Sequence, residues 1–181
     1  MKQSKKILIA NRGVIAIRAL RAARELGYSV ASVYSTIDRD QKHLKLSDEA
    51  ICIGPPETKD SYLNEAAIIS AAELSGADAI YPGFGFLAEN ASFAEKCRES
   101  GFKFIGPDPE VIAIMGDKIK AKELAKSLNI PVVPGYEGEI STENEAIKIV
   151  EEIGYPVIIK DSAGVVGRGM RVVNSSDELW Q

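Results

Sequence analysis

The sequence predicts an α/β protein, a doubly wound parallel sheet followed by the start of a second domain. Short runs rich in Ile and Val alternate with longer helical patterns, which is how βαβ units read along a chain. The first run, Ile7-Leu8-Ile9-Ala10, is apolar without interruption, as expected of a strand covered by helices on both faces. After Ile105 the pattern changes to Gly106-Pro107 and Pro109, which places a domain boundary near Gly116, with residues 1–116 in the first domain and 117–181 in the second.

The elements follow in order. Strand Lys6 to Asn11 leads to a helix from about Val14 to Leu26, with Val14, Ile17, Leu20, Ala23 and Leu26 on one stripe and Gly27 as its stop. Strand Ser29 to Tyr34 comes next. A helix from about Leu63 to Leu74 precedes strand Asp78 to Tyr81, and a helix from about Ala91 to Arg98 precedes strand Lys103 to Ile105. A helical stretch runs through Met115 at the end of the first domain, and the second domain opens with a helix to about Leu128. Thr142 with Glu145 forms a capping box that opens a further helix, stopped by Gly154. Pro156 to Lys160 and Met170 to Val173 read as two strands of a hairpin. Ser175 with Glu178 is another capping box, one turn before Gln181, so the second domain is expected to be incomplete.

Hydrophobic residues at 45% and charged residues at 27% of 181 supply a normal core and leave no case for disorder. A net charge of -4 argues against nucleic acid or an anionic membrane as partner. The basic run Lys2 to Lys6 is followed by too short an apolar stretch for a signal or a span, so a cytosolic location is expected. Cys52 and Cys97 lack metal spacing and read as small buried hydrophobes. His43 has no triad partner and reads as a surface or loop residue; Asp38, Asp40, Asp48 and Glu49 read as a solvated turn.

The segment from Lys160 to Met170 carries the strongest chemical signal. A strand ends in a lysine and hands over to a glycine-containing turn, which sets an ammonium beside free backbone N–H groups and suits phosphates. A plain β-hairpin with turn glycines accounts for it equally well. It is no Walker A loop, and Asn11-Arg12-Gly13 after the first strand is no dinucleotide fingerprint. Tyr81 to Asn90 lies at the carboxyl end of the sheet, as a ligand loop or a packed interdomain corner. Lys118 stands in a first helical turn, against the helix dipole, either for phosphate contact or as a solvated surface residue.

Ala10 to Gly13, Tyr81 to Asn90, Phe104 to Pro107, Met115 to Lys118, Val132 to Gly135 and Gly154 to Val173 together resemble the front of a biotin carboxylase, in order and spacing along essentially the whole chain. The resemblance implies a Rossmann-like pre-ATP-grasp domain and the beginning of an ATP-grasp domain with its glycine-rich lid. It implies ATP with Mg²⁺, bicarbonate and carrier-bound biotin as reactants, through carboxyphosphate. Lys118 and Lys160 match ATP-contacting lysines, Ile158 and Met170 match residues beside the adenine, and Gly164, Val166, Gly167 and Gly169 belong to the lid. Arg21 and Glu25 match a homodimer interface. A biotin carboxyl carrier protein or domain and a carboxyltransferase are the implied partners.

The chain departs from the family pattern at Val14, where an acid is usual, and at Asp161, Val165 and Val166 in the lid. Valine resists positive φ, and an aspartate beside a triphosphate repels it, so weaker ATP binding is expected. Val14 forfeits about 0.3 to 1 kcal/mol at a helix start. The family's Mg²⁺ carboxylates and catalytic base fall beyond Gln181, so no catalytic residue is assigned and the chain alone is expected to be inactive. The alternatives are a non-catalytic dimerisation or regulatory remnant, or another ATP-grasp ligase.

Overall fold

The computed structural model describes residues 5–136, 138, 140–160 and 170–179, with Lys160 described through its backbone. The chain forms two compact units, Met1–Lys118 and Ile119–Gln181. The first holds a five-stranded parallel sheet in the order β3-β2-β1-β4-β5. Its strands are β1 (Lys6–Ile9), β2 (Ser29–Ser35), β3 (Glu49–Gly54), β4 (Ala79–Tyr81) and β5 (Lys103–Phe104).

Alternation along β1 splits the core in two. Leu8 turns to one face, where it packs with Ala31, Val33 and Ile80 against Ile68 and Ala72 of α3 (Glu65–Ser75) and Phe93 and Cys97 of α4 (Ala91–Glu99). Ile9 turns to the other, with Val30, against Ala16, Leu20 and Ala23 of α1 (Gly13–Glu25). Helix α1 starts with no side-chain cap and no acid in its first turn, and Val14 lies exposed. By contrast α3 and α4 are capped by Asn64 and Asn90, which accept from the backbone N–H groups of Ala67 and Phe93. Gly76 closes α3 in the left-handed conformation, where a side chain would be strained.

Three elements of this unit differ from the sequence expectation. The edge strand β3 lies where a solvated turn was expected, because its pattern is half-exposed and the acids at its start are engaged. Asp48 accepts from Val30 N–H at 2.8 Å and from Arg24 at 3.1 Å, and Glu49 pairs with Lys6 at 3.2 Å. His43 sits on the short helix α2 (Lys42–Leu46) and is fully buried, not a surface residue. Cys97 is buried as expected and burial, then Glu65, pushes its thiol up to about 12, but Cys52 is exposed on the edge strand.

Helix α5 (Pro109–Gly116) packs on α4. Helix α6 (Lys118–Ser127) follows, then in the second unit α7 (Glu143–Ile153) and the antiparallel pair β6 (Val157–Lys160) and β7 (Met170–Val173). Thr142 caps α7 by accepting from Glu145 N–H at 3.3 Å, as the capping box predicts. Ala146 and Val150 of α7 pack with Val173 and Leu179 into a small core. At Ser175 the predicted box does not form. Glu178 reaches back to the Asn174 N–H at 2.8 Å, and Ser176–Glu178 is a 3₁₀ turn.

Candidate functional site

In an open sheet the ligand crevice lies outside the carboxyl ends of the strands where the strand order reverses, here between β1 and β4. The chain's own side chains fill it. Asn11, 3% exposed, donates from Nδ2 to the carbonyls of Pro82 at 2.7 Å and Phe84 at 2.9 Å, and its Oδ1 accepts from Arg12 N–H at 2.9 Å. The Tyr62 and Phe86 rings stack with centroids 4.8 Å apart, and the Arg12 guanidinium lies 5.3 and 5.6 Å from them. Gly83 has φ +74, and a Cβ there would come within 2.7 Å of Ile15 Cγ2. Phe86 holds φ 44, a strained value for a non-glycine that the stacking maintains. Between Gly83 and Gly85 the loop turns Phe84 outward, 76% exposed.

Beneath this stack lies a carboxylate. Asp38 Oδ2 accepts from Tyr62 OH at 2.8 Å, Arg12 Nη1 at 3.0 Å and Ser35 Oγ at 3.1 Å. Burial works to raise the Asp38 carboxyl, but those three donors and the Arg12 charge outweigh it and hold it below its ordinary value. Burial and the same carboxylate push the Tyr62 phenol up. Asp38 is therefore a buried anchor and not part of a solvated turn. The constellation ties the β1–α1 and β4–α4 loops and residue 38 into one rigid corner, leaving no glycine-lined cradle for a pyrophosphate. Tyr81 to Asn90 is a packed corner within the first unit, with Phe86 and Leu87 in its core.

The second unit presents a different surface. In the β6–β7 register Ile158 faces Val172 and Lys160 faces Met170. Val157, Ile159 and Val173 turn inward against α7, so Ile158, Met170 and Val172 share the outer face, each more than half exposed. An apolar shelf of this kind gains about 25 cal/mol for every Å² a flat ring covers. A groove of about 1130 Å³ opens in this unit, lined by Lys122, Pro134, Gly135, Tyr136, Ile153 and Ile158 among others.

Of the residues the sequence singled out, Ile158 and Met170 thus come together on one face. Lys160 is Met170's backbone partner, and Lys118 opens α6. Gly164, Val166, Gly167 and Gly169, with Asp161 and Val165, lie outside the described residues. Arg21 and Glu25 are exposed one turn apart near the end of α1. Asp38 and Tyr62 carry no signal in the sequence, because nothing local marks two residues that meet 24 positions apart. Among the described residues no group of three or more His, Cys, Asp or Glu side chains is placed to hold a metal ion, and no helix is long and apolar enough to cross a membrane.

Residues 3–112 match the family model described as biotin carboxylase, N-terminal domain, and residues 117–181 match that of the carbamoyl-phosphate synthase L chain, ATP binding domain. The chain is 57% identical over 175 residues to a biotin carboxylase of Haemophilus influenzae and 53% identical over 175 residues to biotin carboxylase 1 of Bacillus subtilis. It covers 39% of the length of each, while those matches take in 96% and 97% of this chain. A crystal structure of a biotin carboxylase complex with β,γ-ATP from Campylobacter jejuni is similar at TM-score 0.88 and 51% identity, over 97% of this chain and 39% of that one. The biotin carboxylase domain dimer of Hydrogenobacter thermophilus 2-oxoglutarate carboxylase, solved with MgADP, ADP and bicarbonate, matches at TM-score 0.85 and 47% identity, over 98% of this chain and 39% of that one.

Proposed function

The chain belongs to the biotin carboxylase family, and from that premise we propose that it provides the N-terminal domain and part of the nucleotide site of an enzyme that carboxylates carrier-bound biotin with ATP and bicarbonate. The observation that carries this reading is the outer face of the β6–β7 hairpin, where Ile158, Met170 and Val172 make an exposed apolar shelf beside the backbone position of Lys160. A purine needs a flat apolar seat, and a triphosphate needs cations next to it. Ile158 and Met170 seat the adenine. Lys118 and Lys160 serve the phosphates, and Gly164, Val166, Gly167 and Gly169 form the lid over them.

In the reaction a bicarbonate oxygen attacks the γ-phosphorus as the bond to ADP breaks. The carboxyphosphate formed then gives up its carboxyl group: its C–O bond to the phosphorus-bound oxygen breaks, and the inorganic phosphate that leaves takes the proton of the biotin ureido nitrogen that forms the new N–C bond. Negative charge spreads over the transferred phosphoryl group, so the lysines contribute by electrostatic stabilisation and alignment. Among the described residues no group of three or more His, Cys, Asp or Glu side chains is placed to hold Mg²⁺. The partners are a biotin carboxyl carrier and a carboxyltransferase, in the cytoplasm. Arg21 and Glu25, both exposed on α1 with no ion pair among the described residues, serve a homodimer contact.

Titration calorimetry with ATP tests the nucleotide reading. The chain, the Val165→Gly, Val166→Gly double variant and the same pair with Ile158→Glu added are compared. Heat from the first two, greater in the second, that Ile158→Glu removes supports the shelf as the adenine seat. Heat that survives Ile158→Glu refutes it. Silence from all three shifts the reading to a dimerisation remnant, which sedimentation of Arg21→Glu then checks through loss of a dimer.

A further inference from the structure

A shelf covers one face of a flat ring, and a base is held well only where apolar surface meets both of its faces. Ile158 belongs to two surfaces of the second unit at once, the outer face of the β6–β7 hairpin and the lining of the groove of about 1130 Å³. The same groove is lined by Val133 and Pro134, and Val133 is 83% exposed. That wall lies outside any helix or strand. Pro131 and Pro134 lack an N–H to donate, and no backbone–backbone hydrogen bond among the described residues reaches residues 131–136.

Side chains tie it down instead. From α6, Lys122 Nζ donates to the Gly135 carbonyl at 3.3 Å. At the next residue the Tyr136 hydroxyl donates to Glu145 Oε1 of α7 at 3.3 Å, and the other oxygen of that carboxylate accepts from the Ser141 N–H at 3.1 Å. Glu145 is itself fixed at the capped start of α7. The segment is therefore held between two helices, and Lys122 is the tie nearer to Val133 and Pro134 along the chain.

We propose that Lys122 is a positioning residue for the nucleotide: by holding Gly135 it keeps Val133 and Pro134 as a second wall facing Ile158, so that the adenine enters between two apolar surfaces. The inference deepens the nucleotide reading and rests on it. Its role differs from that of Lys118 and Lys160, because an ammonium bound to a loop carbonyl acts at the base end of the ligand and not on the phosphates.

The test measures displacement of trinitrophenyl-ATP from the Val165→Gly, Val166→Gly double variant, by ATP and by inorganic tripolyphosphate, with and without Lys122→Met. Methionine keeps an apolar stem and removes the donor. Lys122→Met is expected to weaken ATP about fivefold, the size of one lost hydrogen bond, and to leave tripolyphosphate unchanged. Lys122→Arg, which still offers a donor to a single acceptor, is expected to restore ATP. Tripolyphosphate weakened in the same proportion overturns the proposal, since Lys122 then serves the phosphates. So does a Lys122→Arg variant as weak as Lys122→Met. ATP displacement that Ile158→Glu abolishes and Lys122→Met leaves untouched overturns this inference alone. ATP displacement that survives Ile158→Glu, or none from the start, overturns the adenine seat and this inference with it.

Discussion

Asn11→Asp changes almost no volume and inverts the hydrogen-bond polarity of the clamp that holds the β4–α4 loop. The amide donates to Pro82 O at 2.7 Å and Phe84 O at 2.9 Å. A carboxylate in its place turns an acceptor toward two carbonyl oxygens, while still accepting from Arg12 N–H. Each lost bond removes about 1 kcal/mol, each stranded buried carbonyl adds about 1 kcal/mol or more, and the buried charge adds to that. Asn11 is too buried for water to take over, and the Arg12 guanidinium is committed to Asp38. The sum is about 3 to 5 kcal/mol, a large share of the roughly 5 to 15 kcal/mol of an ordinary domain.

The introduced carboxyl faces acceptors in a buried site, so its folded-state pKa rises above the unfolded value of about 3.9. Between those two values the folded state binds more protons, and the variant's stability falls as pH rises. The difference from the parent is therefore expected to be larger at pH 7.5 than at pH 5. Urea unfolding by far-UV circular dichroism at both pH values measures it. A difference below about 1 kcal/mol at pH 7.5, or one that does not change with pH, refutes the account of the clamp.

Three further outcomes are expected. Tyr62→Phe removes the donor to Asp38 at 2.8 Å and the acceptor of the Ser35 N–H at 3.2 Å; it should cost about 2 to 4 kcal/mol in urea unfolding, and a cycle with Asp38→Asn should be non-additive. His43 is held below its ordinary value of 6.5 chiefly by burial, so the unfolded state takes up its proton first and stability falls as pH drops below 6.5. Its Nδ1 has no hydrogen-bond partner among the described residues, and His43→Leu should flatten that part of the stability profile with little loss at pH 8. Asp38 and Asp48, both lowered, add their own losses as pH falls through the carboxylate range near 3.8. Val14→Glu places an acid at the uncapped start of α1 and should raise stability by about 0.3 to 1 kcal/mol, less at high salt.

Ile7 to Ala10, the glycine stops and the Thr142 capping box are local signals: contiguous apolar residues, a backbone needing positive φ, and an oxygen three residues from the N–H it accepts. Neighbours along the chain decide them, so the sequence alone makes them legible. The six ordered motifs mark the family in the same way, since each is a short run with its own spacing. The edge strand β3 is not legible, because a half-exposed strand opened by acids reads as a turn until Lys6, Arg24 and the Val30 N–H supply partners for them. His43 and Asp38 are misread for the same reason. A polar residue is read as solvated unless its partners are known, and Tyr62 and Arg12 reach Asp38 from 24 and 26 positions away. The outward face of Ile158 and Met170 lies between the two cases. Alternation along each strand is visible in the sequence, but only the antiparallel register sets both side chains on one surface. Sequence thus determined the family and most of the elements, where the interactions are local, though not the edge strand β3 or the short helix α2. Tertiary structure alone decided which loops lock together and which polar groups are buried, because those depend on contacts between residues far apart along the chain.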